Sequence, residues 1–208
     1  MPRLMDMGLE QLNALMLEMA TLSEDAVAEA IDAYQSGVKS QQVTEWASKL
    51  RSLHRQVSEL SMELIARYQP VASDLRYIKA CFEISYGFFR YGRYAHDIAE
   101  VLEMFGDLSG CDHTQVTETA KKTQEMIRMS IDAFTRKDVE LARKIPAMDD
   151  IVDERYRKNL RSMLGGTGDM KCSLSSTLIL RYLERIADHA TYIGESVVYI
   201  VTGVEPAS

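Results

Sequence analysis

The chain has 208 residues, 46% of them hydrophobic and 26% charged, which is enough for one or two domains with a sizeable core. Its formal net charge of −7 argues against nucleic acid as a partner, because counterion-driven binding needs clustered lysine and arginine. No apolar run approaches the ~18 residues of a membrane span, and no basic N-terminal stretch leads into an apolar block, so a cytoplasmic protein, peripheral to a membrane at most, is the expectation.

Prolines stand only at Pro2, Pro70, Pro146 and Pro206, leaving long stretches without helix breakers. From Leu4 to Tyr34, Leu9, Leu12, Met16, Met19, Ala26, Ala30 and Tyr34 recur mostly at three- and four-residue steps, the spacing of one helix face. Ser36-Gly37 then offers a stop. A second periodic segment runs from Gln41 through Leu50, Leu53, Val57, Leu60, Leu64 and Ile65 and ends before Gln69-Pro70. Ser73 is the expected N-cap of a third helix, with Asp74 in its first turn facing the helix dipole. That helix continues to Phe105, and the stretch from Gly106 to Thr114 reads as a linker. The second half repeats the scheme over about 115–136, 138–164 and 170–202, with Pro146 expected to kink the fifth segment or mark its true start. Gly165-Gly166-Thr167-Gly168 forms the last break. Segments of about 30 residues make helices of roughly 45 Å, suited to elongated antiparallel bundles.

The halves are copies of one another. Leu183-Glu184-Arg185-Ile186-Ala187-Asp188-His189-Ala190 falls on Phe88-Phe89-Arg90-Tyr91-Gly92-Arg93-Tyr94-Ala95 at an offset of 95 residues, and Ile131-Asp132-Ala133-Phe134 falls on Ile31-Asp32-Ala33-Tyr34 at an offset of 100. The expected architecture is therefore all-α, two tandem pseudo-symmetric three-helix bundles, with repeats at 1–107 and 108–208. The three cysteines, Cys81, Cys111 and Cys172, form neither a CxxC pair nor an even set. Free thiols in a reducing compartment are expected, with neither a disulfide nor a structural zinc.

Glu184 and Asp188, four residues apart, put two carboxylates on one helix face, where like charges destabilise a bare helix. Two remedies are open. A hard cation bound through oxygen would neutralise them, with Asp149, Asp150 and Asp153 of the preceding helix as further ligands. Alternatively Arg181 and Arg185, each three residues ahead of one carboxylate, would form salt bridges. In the first half the matching positions hold Phe89 and Arg93, and Asp149, Asp150 and Asp153 fall on His54, Arg55 and Ser58, so the whole acidic set is absent there. That face is either solvated decoration or a surface put to another use, including a basic complement to the acidic patch. Half of the sixteen aromatics crowd into one segment, among them Phe88, Phe89, Tyr91 and Tyr94. No single helix face holds all four, so some must be core and others peripheral, where aromatics favour a dimer or partner contact.

Gln69-Pro70-Val71-Ala72-Ser73-Asp74-Leu75-Arg76 together with Leu183–Ala190, set in a duplicated chain of this length, resembles the PhoU family of phosphate-transport regulators over nearly the entire sequence. The resemblance implies two tandem three-helix bundles, a cytoplasmic accessory role beside a phosphate-importing ABC transporter, contact with a sensor histidine kinase, and no catalysis. It also implies a Glu/Asp-x-x-x-Asp motif for metal ions in the third helix of each repeat. Glu184 and Asp188 keep it; Phe89 and Arg93 do not. A divalent or ferric ion is the one cofactor this suggests, and a homodimer is a further expectation.

Enzyme signatures are missing. Di-iron bundles use Glu-x-x-His, yet the residues three before His54, His96, His113 and His189 are Arg51, Arg93, Gly110 and Ile186. Gly-x-Ser-x-Gly is absent, and the glycine run at 165–168 lacks the Gly-Lys-Ser/Thr ending of a phosphate cradle. A regulatory module is expected, with a PhoU-like accessory subunit of another membrane ion-transport system as the alternative.

Overall fold

The computed structural model describes residues 4–166 and 168–204. It is helical throughout: α1 (Leu4–Ser36), α2 (Gln41–Tyr68), α3 (Ala72–Phe105), α4 (Thr114–Arg136), a short α5 (Val139–Ala142), α6 (Ile145–Leu164) and α7 (Met170–Thr202). The periodic positions turn inward as expected: Leu12, Met16, Met19, Ala26, Ala30 and Tyr34 of α1, and Leu50, Leu53, Val57 and Leu64 of α2, are all buried. Pro2, Thr167 and Pro206 lie outside the described residues.

Two boundaries differ from the expectation. The N-cap of α3 is Val71 in an extended conformation, without a side-chain cap, rather than Ser73. Gln69 already takes the left-handed turn that ends α2, so the chain has reversed by Pro70-Val71 and helix begins at once; Ser73 and Asp74 lie inside the first turn. The fifth segment is two helices. Pro146 occupies the first turn of α6, where its missing N–H leaves no bond unmade and its fixed φ suits the helix. It therefore marks a beginning and not a kink.

Helices α1, α2 and α3 pack on one another, as do α4, α6 and α7, with α5 against α4 and α7. The most extensive contact of all joins the two sets, α3 against α7, and α1 also meets α4. Gly87 makes the close approach of α3 to α7 feasible: a Cβ there would stand 2.9 Å from Ile193. The buried Tyr91 hydroxyl meets Ser130 Oγ at 3.1 Å from α3 to α4, and Phe134 of α4 packs against Tyr77 and Phe88 of α3. Of the four crowded aromatics Phe88, Tyr91 and Tyr94 are buried and Phe89 is half-buried, while the exposed rings of the same helix are Phe82 and Tyr86, at 45% and 46%.

The cysteine expectation is overturned. Cys111 and Cys172 form a disulfide, with Cα atoms 5.4 Å apart across a separation of 61 residues, and Cys81 alone is free and buried. The linker folds back over the first turn of α7, a tertiary approach that leaves no periodic trace in sequence, and the odd buried thiol hides the pair. No described helix is long and apolar enough to cross a membrane.

Candidate functional site

The acidic cluster forms between α6 and α7. Asp149 and Asp153 are one helical turn apart on α6, and Asp188 approaches from α7, so that one carboxylate oxygen from each lies within 4.8 Å of the others. That spacing suits a single hard cation, since opposed oxygens in a calcium shell stand about 4.6–5.2 Å apart. All three residues are half-buried. Glu184, one turn before Asp188, is buried at the edge of the cluster and does not join the three-oxygen group. Asp150 points to solvent.

Arginines surround the cluster. Arg181 pairs with Glu184, Arg185 lies 3.6 Å from Glu184 and 3.0 Å from Asp188, and Arg157 holds Asp153 at 2.7 Å. Both sequence-level remedies thus have geometry behind them. The Arg157 contact was legible from the four-residue step between Asp153 and Arg157 and was not anticipated. Asp149 has no such partner; its Oδ1 is buried with only the Thr191 hydroxyl beside it, in no well-formed hydrogen bond, and Glu184 Oε2 is likewise buried without one. Burial, followed by the neighbouring carboxylates of Asp188, Asp153 and Asp150, pushes Asp149 up to about 6 against the smaller pull of the Thr191 hydroxyl. Burial and then Asp188 push Glu184 up to about 7 against the opposing pull of Arg181, and burial and Asp153 raise Asp188 as well. The arginines therefore leave repulsion uncancelled. A cation fits the residues present: it would occupy the side of Asp149 that no guanidinium reaches.

The matching place in the first half has different chemistry. His54 donates to or accepts from Ser85 Oγ at 2.9 Å, and its ring stacks on Phe89 with centroids 5.6 Å apart. Ser58 turns its hydroxyl to the His54 carbonyl, Arg55 is exposed, and Arg93 pairs with Asp97 at 3.0 Å. A hollow of about 210 Å³ there is walled by Thr44, Ser48, Arg51, Phe89, Arg93 and His96. Its walls carry no carboxylate, and two guanidiniums stand where the acidic set would be.

A larger groove of about 590 Å³ runs between α3 and α7, with His54 of α2 and Phe82, Tyr86, His189, Tyr192 and Tyr199 on its walls. His189 faces this groove and packs against Tyr86, Tyr94 and Tyr192. Burial and then Arg90 push its imidazole down to about 4. It is therefore neutral and turned away from Asp188.

An all-helical chain of two three-helix sets joined along their third helices, with an acidic cluster on one set and a basic, aromatic face on the other, is the class defined by these observations. This chain belongs to the PhoU family. The PhoU domain matches it twice, over residues 16–102 and 116–197. A Pseudomonas aeruginosa protein named "Phosphate-specific transport system accessory protein PhoU homolog" is 32% identical over 206 residues, covering 95% of this chain and 85% of that one. A Clostridium acetobutylicum protein of the same name is 26% identical over 97% of this chain and 95% of its own. The crystal structure of PhoU from Pseudomonas aeruginosa superposes with a TM-score of 0.88 at 31% identity, covering 96% of this chain and 99% of that chain. The phosphate transport system regulatory protein PhoU from Streptococcus pneumoniae, at 21% identity and a TM-score of 0.77, shares the fold.

Proposed function

We propose that this chain is an accessory regulator of phosphate uptake and phosphate signalling, acting in the cytoplasm by contact with a phosphate ABC transporter and a sensor histidine kinase. The likeness to phosphate-transport accessory proteins along nearly the whole of both chains carries this reading. Binding and not chemistry is the inferred mode of action, in keeping with the accessory role named for the relatives. Deleting the gene tests the reading. Phosphate-starvation genes should become derepressed in phosphate-replete medium, or phosphate uptake should escape control, and the protein should co-purify with an importer from native membranes. Should both phosphate responses stay intact while transport of another ion changes, an accessory role in that other system is the better account.

The acidic cluster is proposed to hold one divalent or ferric ion per chain through Asp149, Asp153 and Asp188, with Glu184 at its edge. Support comes from the mutual 4.8 Å spacing and from the burial of Asp149 Oδ1 beside its carboxylate neighbours. A bound ion would cancel the repulsion that the arginines leave and tie α6 to α7. Elemental analysis of untagged protein purified without chelator should find about one equivalent, lost in Asp149→Asn/Asp188→Asn. Absence of metal from the wild type would assign the cluster to its salt bridges.

A further inference from the structure

The three cysteines fall into two chemical kinds. Cys81 is fully buried, and burial pushes its thiol up to about 12, so it is inert at physiological pH. Cys111 and Cys172 are half-exposed and bonded to each other. Cys172 lines a hollow of about 200 Å³ shared with Asp112, Asn159, Met163, Asp169 and Ser173, which gives a thiol reagent room to reach the bridge from solvent. An accessible disulfide in a protein read as cytoplasmic is out of place as a static staple, because reducing compartments keep such bonds open unless they cycle.

The bridge also sits at a joint of the fold. Residues 106–113 carry the chain from α3 to α4, and so from one helix set to the other. The linker is anchored to both: Leu108 is buried, His113 bonds the Tyr34 hydroxyl at 2.7 Å and the Leu108 carbonyl at 3.0 Å, and Lys171 donates to the Asp107 carbonyl at 2.5 Å. The disulfide adds a covalent strap from the middle of this linker to the first turn of α7, where Asp169 caps the helix by accepting from the Cys172 N–H.

We propose that Cys111 and Cys172 are a reversible thiol–disulfide site that a dithiol reductant opens in the native protein, releasing the linker from α7. The expectation of cycling rests on the cytoplasmic reading above, and the exchange itself on this geometry and not on the transport role. A reductant thiolate attacks one sulfur of the bridge, the S–S bond breaks, and the other cysteine leaves as a thiolate that takes a proton. The second thiol of the reductant, deprotonated, then closes on the mixed disulfide and expels the first cysteine, which is also protonated. Two electrons and two protons reach the protein, and the reductant becomes a cyclic disulfide. The remaining anchors at Leu108 and His113 keep the reduced linker near its place, so folding persists.

Dithiothreitol is the probe, with alkylation and intact mass as the readout. Oxidised native protein should take up no alkyl group, since Cys81 is buried. After mild reduction without denaturant it should take up two, and oxidised glutathione should restore the bridge. Amide exchange should then rise in the linker and the first turn of α7 and stay unchanged in the middle of α3. The melting temperature should drop by roughly 4–16 °C on losing a closed loop of this length. Cys111→Ser/Cys172→Ser should melt like the reduced wild type and lose all response to dithiothreitol. Should that variant fail to fold, wild type alkylated after reduction takes its place. Two free thiols after treatment with oxidised glutathione would show that no bridge forms, and reduction only in denaturant would show a static staple. Either result, or linker exchange unaltered by reduction, overturns the proposal.

Discussion

Asp149 and Glu184 carry the clearest pH signature in the molecule. Their folded pKa values, about 6 and about 7, lie above the ordinary 3.8 and 4.5, so the folded state binds protons more tightly than the unfolded one. Their contribution to stability is therefore full below about 4 and is lost as pH rises through about 7. His54 and His189 shift downward and oppose this on the acid side, so the effect is read as wild type minus Asp149→Asn/Glu184→Gln. In chelator the melting temperature of the wild type should climb towards that of the variant as pH falls from 7.5 to 5. With saturating metal the trend should reverse, because a cation needs the carboxylates deprotonated. A wild-type minus variant difference that stays flat with pH in chelator would mean that Arg181 and Arg185 already cancel the repulsion.

Between helices, the contacts of α3 with the second helix set are the sensitive ones. Tyr91→Phe removes a buried hydrogen bond to Ser130, which keeps its own bond to the Ile127 carbonyl, so urea unfolding should report a loss of about 1 kcal/mol. Gly87→Leu drives a side chain into the fully packed Ile193 and should destabilise by roughly 1–3 kcal/mol. The order and length of these helices were legible because Leu50, Leu53, Val57 and Leu64 repeat at helical steps with one buried face, and because Gly37 and Gly106 both take positive φ where the periodicity stops. Ser73 misled because capping preference is a local rule and the reversal at Gln69 had already set the start of α3. At the site, the four-residue steps placed Asp149 beside Asp153 and Glu184 beside Asp188. Which of the two α7 carboxylates meets the α6 pair depends on the relative rotation of the helices, a tertiary quantity, and it is Asp188. The Cys111–Cys172 approach is likewise tertiary and had no local sign.

At the scale of the whole molecule, the two repeats are neighbours in sequence but not independent bodies. Tyr77, Phe88 and Tyr91 of the first meet Phe134 and Ser130 of the second, and α3 against α7 is the most extensive helix contact. Separating the chain at the proposed boundary, into 1–107 and 108–208, would expose these rings and the Gly87–Ile193 seam to water. The full chain should therefore unfold in one cooperative transition, with calorimetric and van't Hoff enthalpies equal. Each half alone should melt at a lower temperature and bind a hydrophobic dye, and mixing the halves should restore helix content and the higher melting point. The disulfide lies wholly within 108–208, so the comparison holds at fixed redox state. Two resolved transitions in the full chain, or halves that each melt where the intact protein does, would show instead that each repeat is sufficient to itself. Coupling through α3 and α7 has a functional corollary: an ion that ties α6 to α7 would be felt in the first repeat. Metal added to the full chain should then slow amide exchange in α3, although the first repeat lacks carboxylates at every matching position.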